Sequence, residues 1–409
     1  MKILLITDSY PPEIRSASHL MLELAQELKR IGHEITVITT WPEYNLDQQQ
    51  DFLKFNELEK EDGISVIRVK TLPHHNVNYI LRAIAQLVMP LQFLLKLSKY
   101  HIRPDAAVVY SPPLPLAFVG SWLARRGVRY LLNVQDLFPQ NAIDLGILRQ
   151  PLQIKFFEAL ERSAYRNADI ITVHSEGNRA MVLKSHPLVG PKLKILHNWV
   201  DVAHHDTNAA STDFREEWHL THSQIAIFAG VMGPSQYLEL ILDIAERMTS
   251  HSDLLFLLVG DGKEKANLQR QAQERGLKNV RFEGFISRER YPDLLRACTI
   301  GLVCLSPQNK TPVVPGKFLG HMASALPVAA FLQRESDGHA LIAQAQCGVS
   351  ANSANLEDCL TALTNLLNQR AEFEQLGANG RRFATENFSK EVCVAQLEAM
   401  LLDKTHETN

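Results

Sequence analysis

The segment 311–328 places a lysine at the start of a predicted helix. A proline-rich loop ends at Gly316 and Lys317, a short helix pattern runs to Ala325, and a buried strand resumes at Pro327. A helix N-terminus offers free N–H groups and the positive end of the helix dipole, and a lysine in the first turn adds an ammonium. The pattern predicts an anion-binding site, and an ordinary loop with a surface lysine is the alternative interpretation.

Two glycine-containing turns lie upstream of this segment, each directly after an apolar run. Gly230 and Gly233 follow the first run, and Gly260 and Asp261 follow the second. Glycine lets the backbone approach a phosphate closely and turn its N–H groups toward it, so both turns are candidate phosphate contacts. A structural tight turn explains them equally well, and Asp261 also fits as the N-cap of a helix predicted over 263–275.

Two acidic residues in the first half are candidates for contacts with a substrate. Asp136 lies just beyond the apolar run 130–134, at the carboxyl end of a predicted strand, where parallel α/β sheets bind their ligands. Its carboxylate suits acceptance of a hydrogen bond from a hydroxyl, and capping of the turn before Pro139 is an equal alternative. Glu13 follows two prolines in the first loop, and a solvated loop acid is the alternative there.

The elements that must position these residues alternate along the chain. Short Val/Ile/Leu runs are separated by amphipathic helix patterns in both halves, which predicts parallel sheets buried on both faces. A chain of 409 residues is long enough for two or three domains. We predict two doubly wound α/β domains, residues 1–200 and 201–389, with a final helix in 390–409 packing back on the first. The polar stretch 203–213 suits a linker.

The composition is that of an ordinary globular protein. Hydrophobic residues make up 45% and charged residues 21%, and the net charge of −3 gives no indication of a nucleic-acid partner. The five cysteines form no CxxC pair, which predicts reduced thiols and no metal site. The chain starts directly with a strand pattern and shows no signal-peptide pattern, which predicts a cytoplasmic location.

Residues 79–100 are unusual because they contain no acidic residue. Basic and amide side chains fall on one side of the helical wheel, and most of the rest, including Leu87 and Leu94, is apolar. Pro90 and the polar residues argue against a membrane-spanning helix. The two interpretations are a core helix under the first sheet, kinked at Pro90, and an interfacial helix whose apolar face contacts a membrane.

Short motifs in a defined order cover nearly the whole chain. In the N-terminal half they are Tyr10-Pro-Pro-Glu13, Gly32-His-Glu-Ile-Thr-Val-Ile38, Gln135-Asp-Leu-Phe-Pro139 and His197-Asn-Trp-Val-Asp201. In the C-terminal half they are Ala229-Gly-Val-Met-Gly-Pro-Ser-Gln236, Phe256-Leu-Leu-Val-Gly-Asp-Gly262, Asn279-Val-Arg-Phe-Glu-Gly-Phe285 and Pro315-Gly-Lys317. Together these motifs resemble the retaining GT-B glycosyltransferases of family 4, in the branch that builds bacterial capsule, O-antigen and exopolysaccharide repeat units.

The resemblance implies two facing Rossmann-like, doubly wound domains of the GT-B fold with an interdomain cleft. It implies retaining transfer of a hexosyl or N-acetylhexosaminyl group from a nucleotide sugar, expected to be a UDP-sugar. The implied acceptor is a glycan or a polyprenyl-diphosphate-linked sugar at the inner face of the plasma membrane, where residues 79–100 would supply a membrane contact. No metal or cofactor is implied, since Lys317 would neutralise the departing diphosphate.

The resemblance also implies roles for individual residues. The expected catalytic residues are Asp136 and Lys317. The expected acceptor-binding residues are Glu13, Arg15 and Ser16. The expected donor-binding residues are Gly230, Gly233, Gln236, Gly260, Asp261, Phe285, Pro315 and Gly316.

The sequence departs from the family pattern at several positions. A glutamate pair of many family members falls on Pro312 and Gly320, so the ribose contact of the second glutamate is missing. Two cations of the first C-terminal loop fall on Val231 and Gln236, and a histidine falls on Gln135. These losses leave open a second hypothesis, a catalytically impaired GT-B-like subunit that binds a nucleotide within a glycosylation complex.

A nucleotide-sugar epimerase is a third hypothesis, since such enzymes share the architecture. It requires a cluster of acids and histidines for proton abstraction, which the sequence pattern does not assemble. A nicotinamide-dependent dehydrogenase is disfavoured because no GxGxxG follows the first strand. An active transferase is therefore the preferred hypothesis.

Overall fold

The computed structural model describes residues 1–43, 55–75, 77–144, 146–206 and 213–403. These residues form two compact units. The N-terminal unit comprises Met1–Asn198 and the helix that begins at Lys390, and the C-terminal unit comprises Trp199–Ser389. The division lies two residues before position 200, where the sequence analysis placed it. Residues 207–212 of the predicted linker and 404–409 of the final segment lie outside the described residues.

The N-terminal unit is built on a sheet that contains eight strands among the described residues. The strands are β1 (Lys2–Ile6), β2 (Glu34–Thr40), β3 (Leu58–Glu61), β4 (Ile64–Val69), β5 (Ala106–Ser111), β6 (Arg129–Val134), β7 (Ile170–Val173) and β8 (Leu193–Ile195). Their spatial order is β3-β4-β2-β1-β5-β6-β7-β8, and β3 is antiparallel to β4 whereas the other neighbours are parallel. The α-helices between them are α1 (Ser16–Arg30), α2 (Tyr79–Lys99), α3 (Ala117–Ala124), α4 (Gln140–Asp144), α5 (Pro151–Asn167) and α6 (Glu176–Ser185).

The C-terminal unit is built on a parallel sheet that contains six strands among the described residues, in the order β11-β10-β9-β12-β13-β14. The strands are β9 (Gln224–Ala229), β10 (Leu254–Val259), β11 (Val280–Glu283), β12 (Ile300–Cys304), β13 (Val328–Leu332) and β14 (Gly348–Asn352). The helices are α7 (Phe214–Glu217), α8 (Glu239–Arg247), α9 (Lys265–Glu274), α10 (Tyr291–Arg296), α11 (Lys317–Ala323), α12 (Gly338–Ala345), α13 (Leu356–Asn368) and α14 (Phe373–Phe388).

The strands in the middle of each sheet are buried along their whole length, as their continuous apolar runs predicted. Every residue of β5 and of β10 is buried. Burial on both faces requires helices on both sides of a parallel sheet. Each unit is therefore a doubly wound α/β domain, which confirms the predicted fold class for each unit. All five cysteines are buried and unpaired by disulfides.

Both sheets reverse their strand order next to the first strand of the unit. In the N-terminal unit β1 lies between β2 and β5, and in the C-terminal unit β9 lies between β10 and β12. The loops on the two sides of such a reversal diverge and leave a crevice at the carboxyl ends of the strands, where open α/β sheets bind ligands. The loops after β1 and β5, and those after β9 and β12, are therefore the expected ligand-binding positions.

The last helix, α15 (Lys390–Leu402), packs against α1 in the N-terminal unit. Nε2 of His33 lies 2.8 Å from Oε1 of Glu398, and the Arg129 guanidinium donates a 3.0 Å hydrogen bond to the carbonyl oxygen of Met400. The final described helix therefore contributes to the first unit rather than to the unit that precedes it in the chain.

One face of α2 is buried in the N-terminal core. Ala85, Met89, Phe93 and Leu97 are buried, spaced about one helical turn apart. Leu94 also packs against this core, so its predicted place on a free apolar face is wrong. The sequence could not separate the two faces because both are apolar.

The other side of α2 leaves an apolar stripe that is 39% to 62% exposed. Its members are Leu81, Ile84, Leu87, Leu91 and Leu95. By length and composition Leu81–Lys99 is apolar enough to cross a membrane, but its buried face belongs to the core of the unit. The core interpretation is confirmed for the buried face, whereas membrane contact through the exposed apolar stripe stays a prediction.

Replacing Phe93 with alanine is expected to lower the free energy of unfolding by about 3–5 kcal/mol, because the substitution leaves a cavity in the core. Replacing Leu91 with alanine, on the exposed side of the same helix, is expected to change the free energy of unfolding by less than about 0.5 kcal/mol. Urea denaturation followed by circular dichroism measures both. Equal losses for the two variants would contradict the assignment of the buried face.

Candidate functional site

Lys317 is the first residue of α11, and its ammonium group lies against the end of β9 and the turn after it. Its Nζ donates a 2.7 Å hydrogen bond to Oε1 of Gln236 and lies 4.6 Å from the centroid of the Phe228 ring. Gly316 is the N-cap of α11 and Pro315 is buried, so the proline-rich loop fixes the position of Lys317 at the start of the helix. The structure thus brings together two expected donor-site residues that are far apart in sequence.

The electrostatic setting of Lys317 favours an anionic ligand. Burial lowers the pKa of its ammonium to about 8, so most of the group is protonated at pH 7. Within the described part of the chain no carboxylate forms an ion pair with it, and its hydrogen-bond acceptor is the neutral amide of Gln236. An anion is therefore able to replace that amide without breaking an ion pair, and it would interact with a cation that is poorly screened by water.

Gly230 and Gly260 hold the neighbouring turns in direct contact. Both have positive φ angles, 144° and 130°. A Cβ on Gly260 would lie 2.0 Å from the carbonyl oxygen of Gly230, and a Cβ on Gly230 would lie 3.0 Å from Cε of Lys317. Glycine is therefore required at both positions. Because neither residue has a side chain, the Lys317 side chain and the two turns are able to pack closely together.

Lys265 is a residue of this region that the sequence analysis missed. Its Nζ donates to the carbonyl oxygens of Gly260 and Glu283, at 2.8 and 2.9 Å, and so connects the ends of β10 and β11. A lysine whose ammonium binds two backbone carbonyls holds loops in place and has less capacity left for a ligand. No sequence pattern distinguishes it from a surface lysine on a helix.

The other expected donor residues lie along the same edge of the sheet. Gly233 is the N-cap of a short 3-10 turn that contains Gln236. Phe285 is exposed just after β11. Asp261 accepts a hydrogen bond from the next backbone N–H at 2.8 Å, whereas Glu264 occupies the N-cap position of α9 without a side-chain capping bond, so the predicted N-cap role of Asp261 is wrong.

Gly320 stands where many family members have the second glutamate, and a side chain from another helix occupies the space beside it. A Cβ on Gly320 would lie 3.1 Å from the ring of Tyr291, which occupies the adjacent space. His321, the next residue, is fully buried, and its Nε2 lies 3.3 Å from the carbonyl oxygen of Leu302. Neither residue therefore offers the lost ribose contact, and Tyr291 explains why the position holds glycine.

In the N-terminal unit Asp136 lies just after β6 with an exposed side chain. Its backbone carbonyl accepts the hydrogen bond from Phe138 that closes the turn, while its carboxylate bonds to none of the described residues. The predicted capping role of the carboxylate is therefore wrong. The surrounding protein reduces solvation of the carboxyl group and raises its pKa. The carboxylate is thus available to a ligand at the carboxyl end of the sheet.

Glu13 is buried rather than solvated, which overturns the alternative interpretation of this residue. Its carboxylate accepts hydrogen bonds from Ser9 Oγ at 3.0 Å and from the backbone N–H of Glu43 at 3.3 Å. Burial raises the pKa of Glu13. Arg15 pairs with Glu13 at 3.8 Å and with Asp8 at 3.4 Å, so its charge is already used within the unit.

Ser16 is the exposed first residue of α1. Gln135, which stands in place of a family histidine, donates to Asn133 at 2.7 Å and exchanges two 3.0 Å hydrogen bonds with Asn198. An amide fixed in this way orients the loop before Asp136 and offers no base for proton transfer.

Two family models match this chain. Residues 17–199 match the glycosyl transferase 4-like domain, and residues 211–383 match the glycosyl transferases group 1. The putative colanic acid biosynthesis glycosyl transferase WcaI of Escherichia coli (strain K12) is 27% identical over 334 residues, which cover 79% of this chain and 81% of that protein.

Solved structures share the fold over almost the full length. Sucrose-phosphate synthase from Thermosynechococcus elongatus superposes with a TM-score of 0.75 at 17% identity and covers 98% of each chain. The Anabaena HepE protein in complex with UDP and glucose superposes with a TM-score of 0.73 at 15% identity, covering 98% of this chain and 99% of that one. These likenesses show that the two domains make up a GT-B fold.

Replacing Gly260 with alanine is expected to reduce the free energy of unfolding by at least about 1–3 kcal/mol, the cost of an unfavourable backbone region. Overlap of the new Cβ with the Gly230 carbonyl adds to this cost. Gly284→Ala is the matched control, because no atom of the described residues lies within 4 Å of the position that its Cβ would take. Chemical denaturation of both variants is the measurement, and a Gly260→Ala protein as stable as the control would contradict the contact between the turns.

Proposed function

This chain belongs to the group 1 glycosyltransferases, with a glycosyl transferase 4-like N-terminal domain, and on that basis we propose that it transfers a hexosyl or N-acetylhexosaminyl group from a nucleotide sugar to a glycan acceptor. The transfer proceeds with retention of configuration in the assembly of a cell-surface polysaccharide. The similarity to WcaI, a protein named for colanic acid biosynthesis, supports a role in polysaccharide assembly. The observation that carries the proposal is the Lys317 ammonium, bonded to a neutral amide beside two glycine turns.

The donor diphosphate is proposed to bind in the C-terminal unit against Lys317 and the turn at Gly230. Its oxygens would replace the Gln236 amide at the ammonium. As the bond between the anomeric carbon and the diphosphate breaks, the leaving group takes the bonding electrons and its negative charge grows. A fixed ammonium in a poorly hydrated position stabilises that charge more than it stabilises the intact donor, which lowers the barrier electrostatically.

The acceptor is proposed to contact the N-terminal unit through Asp136. The acceptor oxygen forms the new bond to the anomeric carbon, and its hydroxyl proton passes to the departing diphosphate. The Asp136 carboxylate, which bonds to none of the described residues, accepts a hydrogen bond that orients this hydroxyl. Glu13 and Arg15 support the acceptor loop through their mutual pairing.

UDP is the proposed nucleotide, supported by the UDP in the HepE complex. Isothermal calorimetry with UDP, GDP, ADP and TDP should show selective binding of UDP. Replacing Lys317 with alanine should weaken it by about 1.5–3 kcal/mol, roughly 10- to 150-fold, the scale for hydrogen bonds to charged groups. Lys278→Ala is the control, because Lys278 is an exposed lysine just before β11, at the amino end of the sheet. Equal affinity in both variants would remove Lys317 from the site.

The pH dependence of UDP binding gives an independent test of the same lysine. Its pKa of about 8 means that the unliganded ammonium loses its proton as the pH rises from 7 to 9. Affinity should therefore fall over this interval in the wild type, by at most about tenfold per pH unit above the pKa. The Lys317→Ala protein should lack this decline. A decline of the same size in the variant would assign it to another group.

A catalytically impaired nucleotide-binding subunit is the second candidate, favoured by the loss of both family glutamates. Pro312 holds no carboxylate, and Tyr291 occupies the space beside Gly320. Mass spectrometry of the products distinguishes the candidates, because an active transferase releases UDP and lengthens a polyprenyl-linked or free glycan. Tight UDP binding without sugar transfer to any acceptor would favour the subunit.

The exposed stripe of α2 is proposed to contact the inner face of the plasma membrane, where a polyprenyl-diphosphate-linked acceptor resides. Replacing both Leu91 and Leu95 with glutamate should reduce flotation with phosphatidylglycerol-containing vesicles, because a carboxylate is unfavourable at the acyl boundary and is repelled by the anionic lipid. Leu152→Glu with Leu188→Glu is the matched control, since these leucines are also strongly exposed but lie off α2. Equal flotation of the two folded double variants would refute the contact.

A further inference from the structure

Asp8, His74 and His75 lie together at the carboxyl edge of the N-terminal sheet. Asp8 follows β1, and the two histidines follow β4. One potential ligand atom from each residue lies within 4.8 Å of those from the other two. Asp8 and His74 are only 4% and 6% exposed, so this is an enclosed cluster rather than a surface coincidence.

The surroundings of His74 fix which of its nitrogens is available. Its Nδ1 lies 3.2 Å from the carbonyl oxygen of Leu72, which is only able to accept a hydrogen bond. Nδ1 must therefore carry the proton, and Nε2 carries the lone pair. Nε2 is buried and has no hydrogen-bond partner among the described residues. A histidine held through Nδ1 by a backbone carbonyl, with Nε2 left over, is the usual arrangement of a metal ligand.

The carboxylate of Asp8 also has an unused oxygen. Oδ2 pairs with Arg15 at 3.4 Å, whereas the buried Oδ1 has no partner in the described part of the chain. An unsatisfied buried polar atom costs about 1–3 kcal/mol, and a charged one costs more. The cluster therefore contains a buried oxygen of Asp8 and a buried nitrogen of His74 that each lack a hydrogen-bond partner among the described residues.

His75 completes the set. Its ring centroid lies 4.1 Å from that of His74, with the planes tilted by 46°. The ring is half-buried against that of His74, and imidazole nitrogens are common ligands of transition metals.

We propose that Asp8, His74 and His75 bind one divalent transition-metal ion of the zinc class. Two imidazole nitrogens and one carboxylate oxygen suit Zn²⁺ and its neighbours, whereas Mg²⁺ and Ca²⁺ prefer oxygen ligands. Tetrahedral bonds of about 2.0–2.2 Å separate ligand atoms by roughly 3.3–3.6 Å, so ligand atoms up to 4.8 Å apart must approach by at most about 1.5 Å, which side-chain rotation achieves. The carboxyl groups of Asp8 and Glu13 pair with Arg15 and so offset its charge beside the cluster.

Three protein ligands leave at least one coordination position for water or another oxygen. The site lies after β1, at the strand-order reversal where this sheet is expected to bind ligands. It belongs to the N-terminal unit and shares no residue with the Lys317 site, so it stands independently of the proposed donor binding. The sequence analysis expected no metal, because the cysteines form no CxxC pair and Asp8 lies far from the two histidines in the sequence.

The test is the metal content and Zn²⁺ affinity of the full, untagged chain after chelator dialysis. The wild type is expected to bind about one Zn²⁺ per chain, as measured by calorimetry and by inductively coupled plasma mass spectrometry. Co²⁺ should give visible absorption bands of a low-symmetry nitrogen–oxygen site. Saturating Zn²⁺ should also raise the melting temperature, because it binds the folded state.

Matched variants identify the ligands. His74→Gln with His75→Gln is expected to weaken Zn²⁺ binding at least tenfold and to abolish the cobalt bands and the melting shift. The control is His204→Gln with His205→Gln, an adjacent histidine pair whose rings contact each other in the C-terminal unit. Its Zn²⁺ binding should equal that of the wild type. The single variant His75→Gln, at a half-buried position, serves if the double variant does not fold.

Two results would overturn the proposal. Wild-type protein that takes up less than about a tenth of an equivalent of Zn²⁺ would show that water alone satisfies the cluster. Equal Zn²⁺ binding by wild type and folded His75→Gln protein would place the ion elsewhere on the chain.

Discussion

The close contact between the turns after β9 and β10 is the constraint on which the proposed donor site depends. A side chain on Gly260 would overlap the Gly230 carbonyl, and one on Gly230 would press on the Lys317 side chain. Because both positions are bare backbone, the lysine is able to lie over Phe228 and reach Gln236. The ammonium is consequently held in a poorly hydrated position with a neutral partner, which is the state that makes it useful for binding an anion.

The two sheets explain why the candidate residues fall where they do. Parallel strands place all their carboxyl ends on one edge, so residues from distant parts of the chain meet there. In the C-terminal unit this edge collects Lys317, Gln236 and the glycine turns. In the N-terminal unit it collects Asp136 and the cluster around Asp8, which includes buried acids, an arginine and two histidines. Each unit thus has its own chemistry built on the same architecture.

Much of this organisation was predictable from the sequence, because apolar runs specify buried strands and glycines after strands specify tight turns. A lysine at the start of a predicted helix indicated the candidate anion site, and the structure places this lysine beside Gln236. Other features depend on tertiary contacts that leave no local pattern. Tyr291 filling the space beside Gly320 is one, and the short antiparallel β3, with no apolar run, is another.

The Asp8 cluster shows the same limit in a different way. Asp8 carries the signal that identified Asp136, an acid just after a buried strand, yet its partners lie after another strand. Only the strand order, which places β2 between β1 and β4, brings them within reach. The burial of Glu13 was also not predicted. An acidic residue in a short loop after two prolines is expected to be solvated, and its ion pair with Arg15 is apparent only in the structure.

The most direct test of the account is a crystal structure of the protein with UDP. The account predicts a diphosphate oxygen within about 3 Å of Lys317 Nζ, the distance of a charge-assisted hydrogen bond, with the Gln236 amide displaced from the ammonium. A bound diphosphate that lies away from the Gly230 turn, while Lys317 keeps its hydrogen bond to Gln236, would contradict the central role given to this lysine.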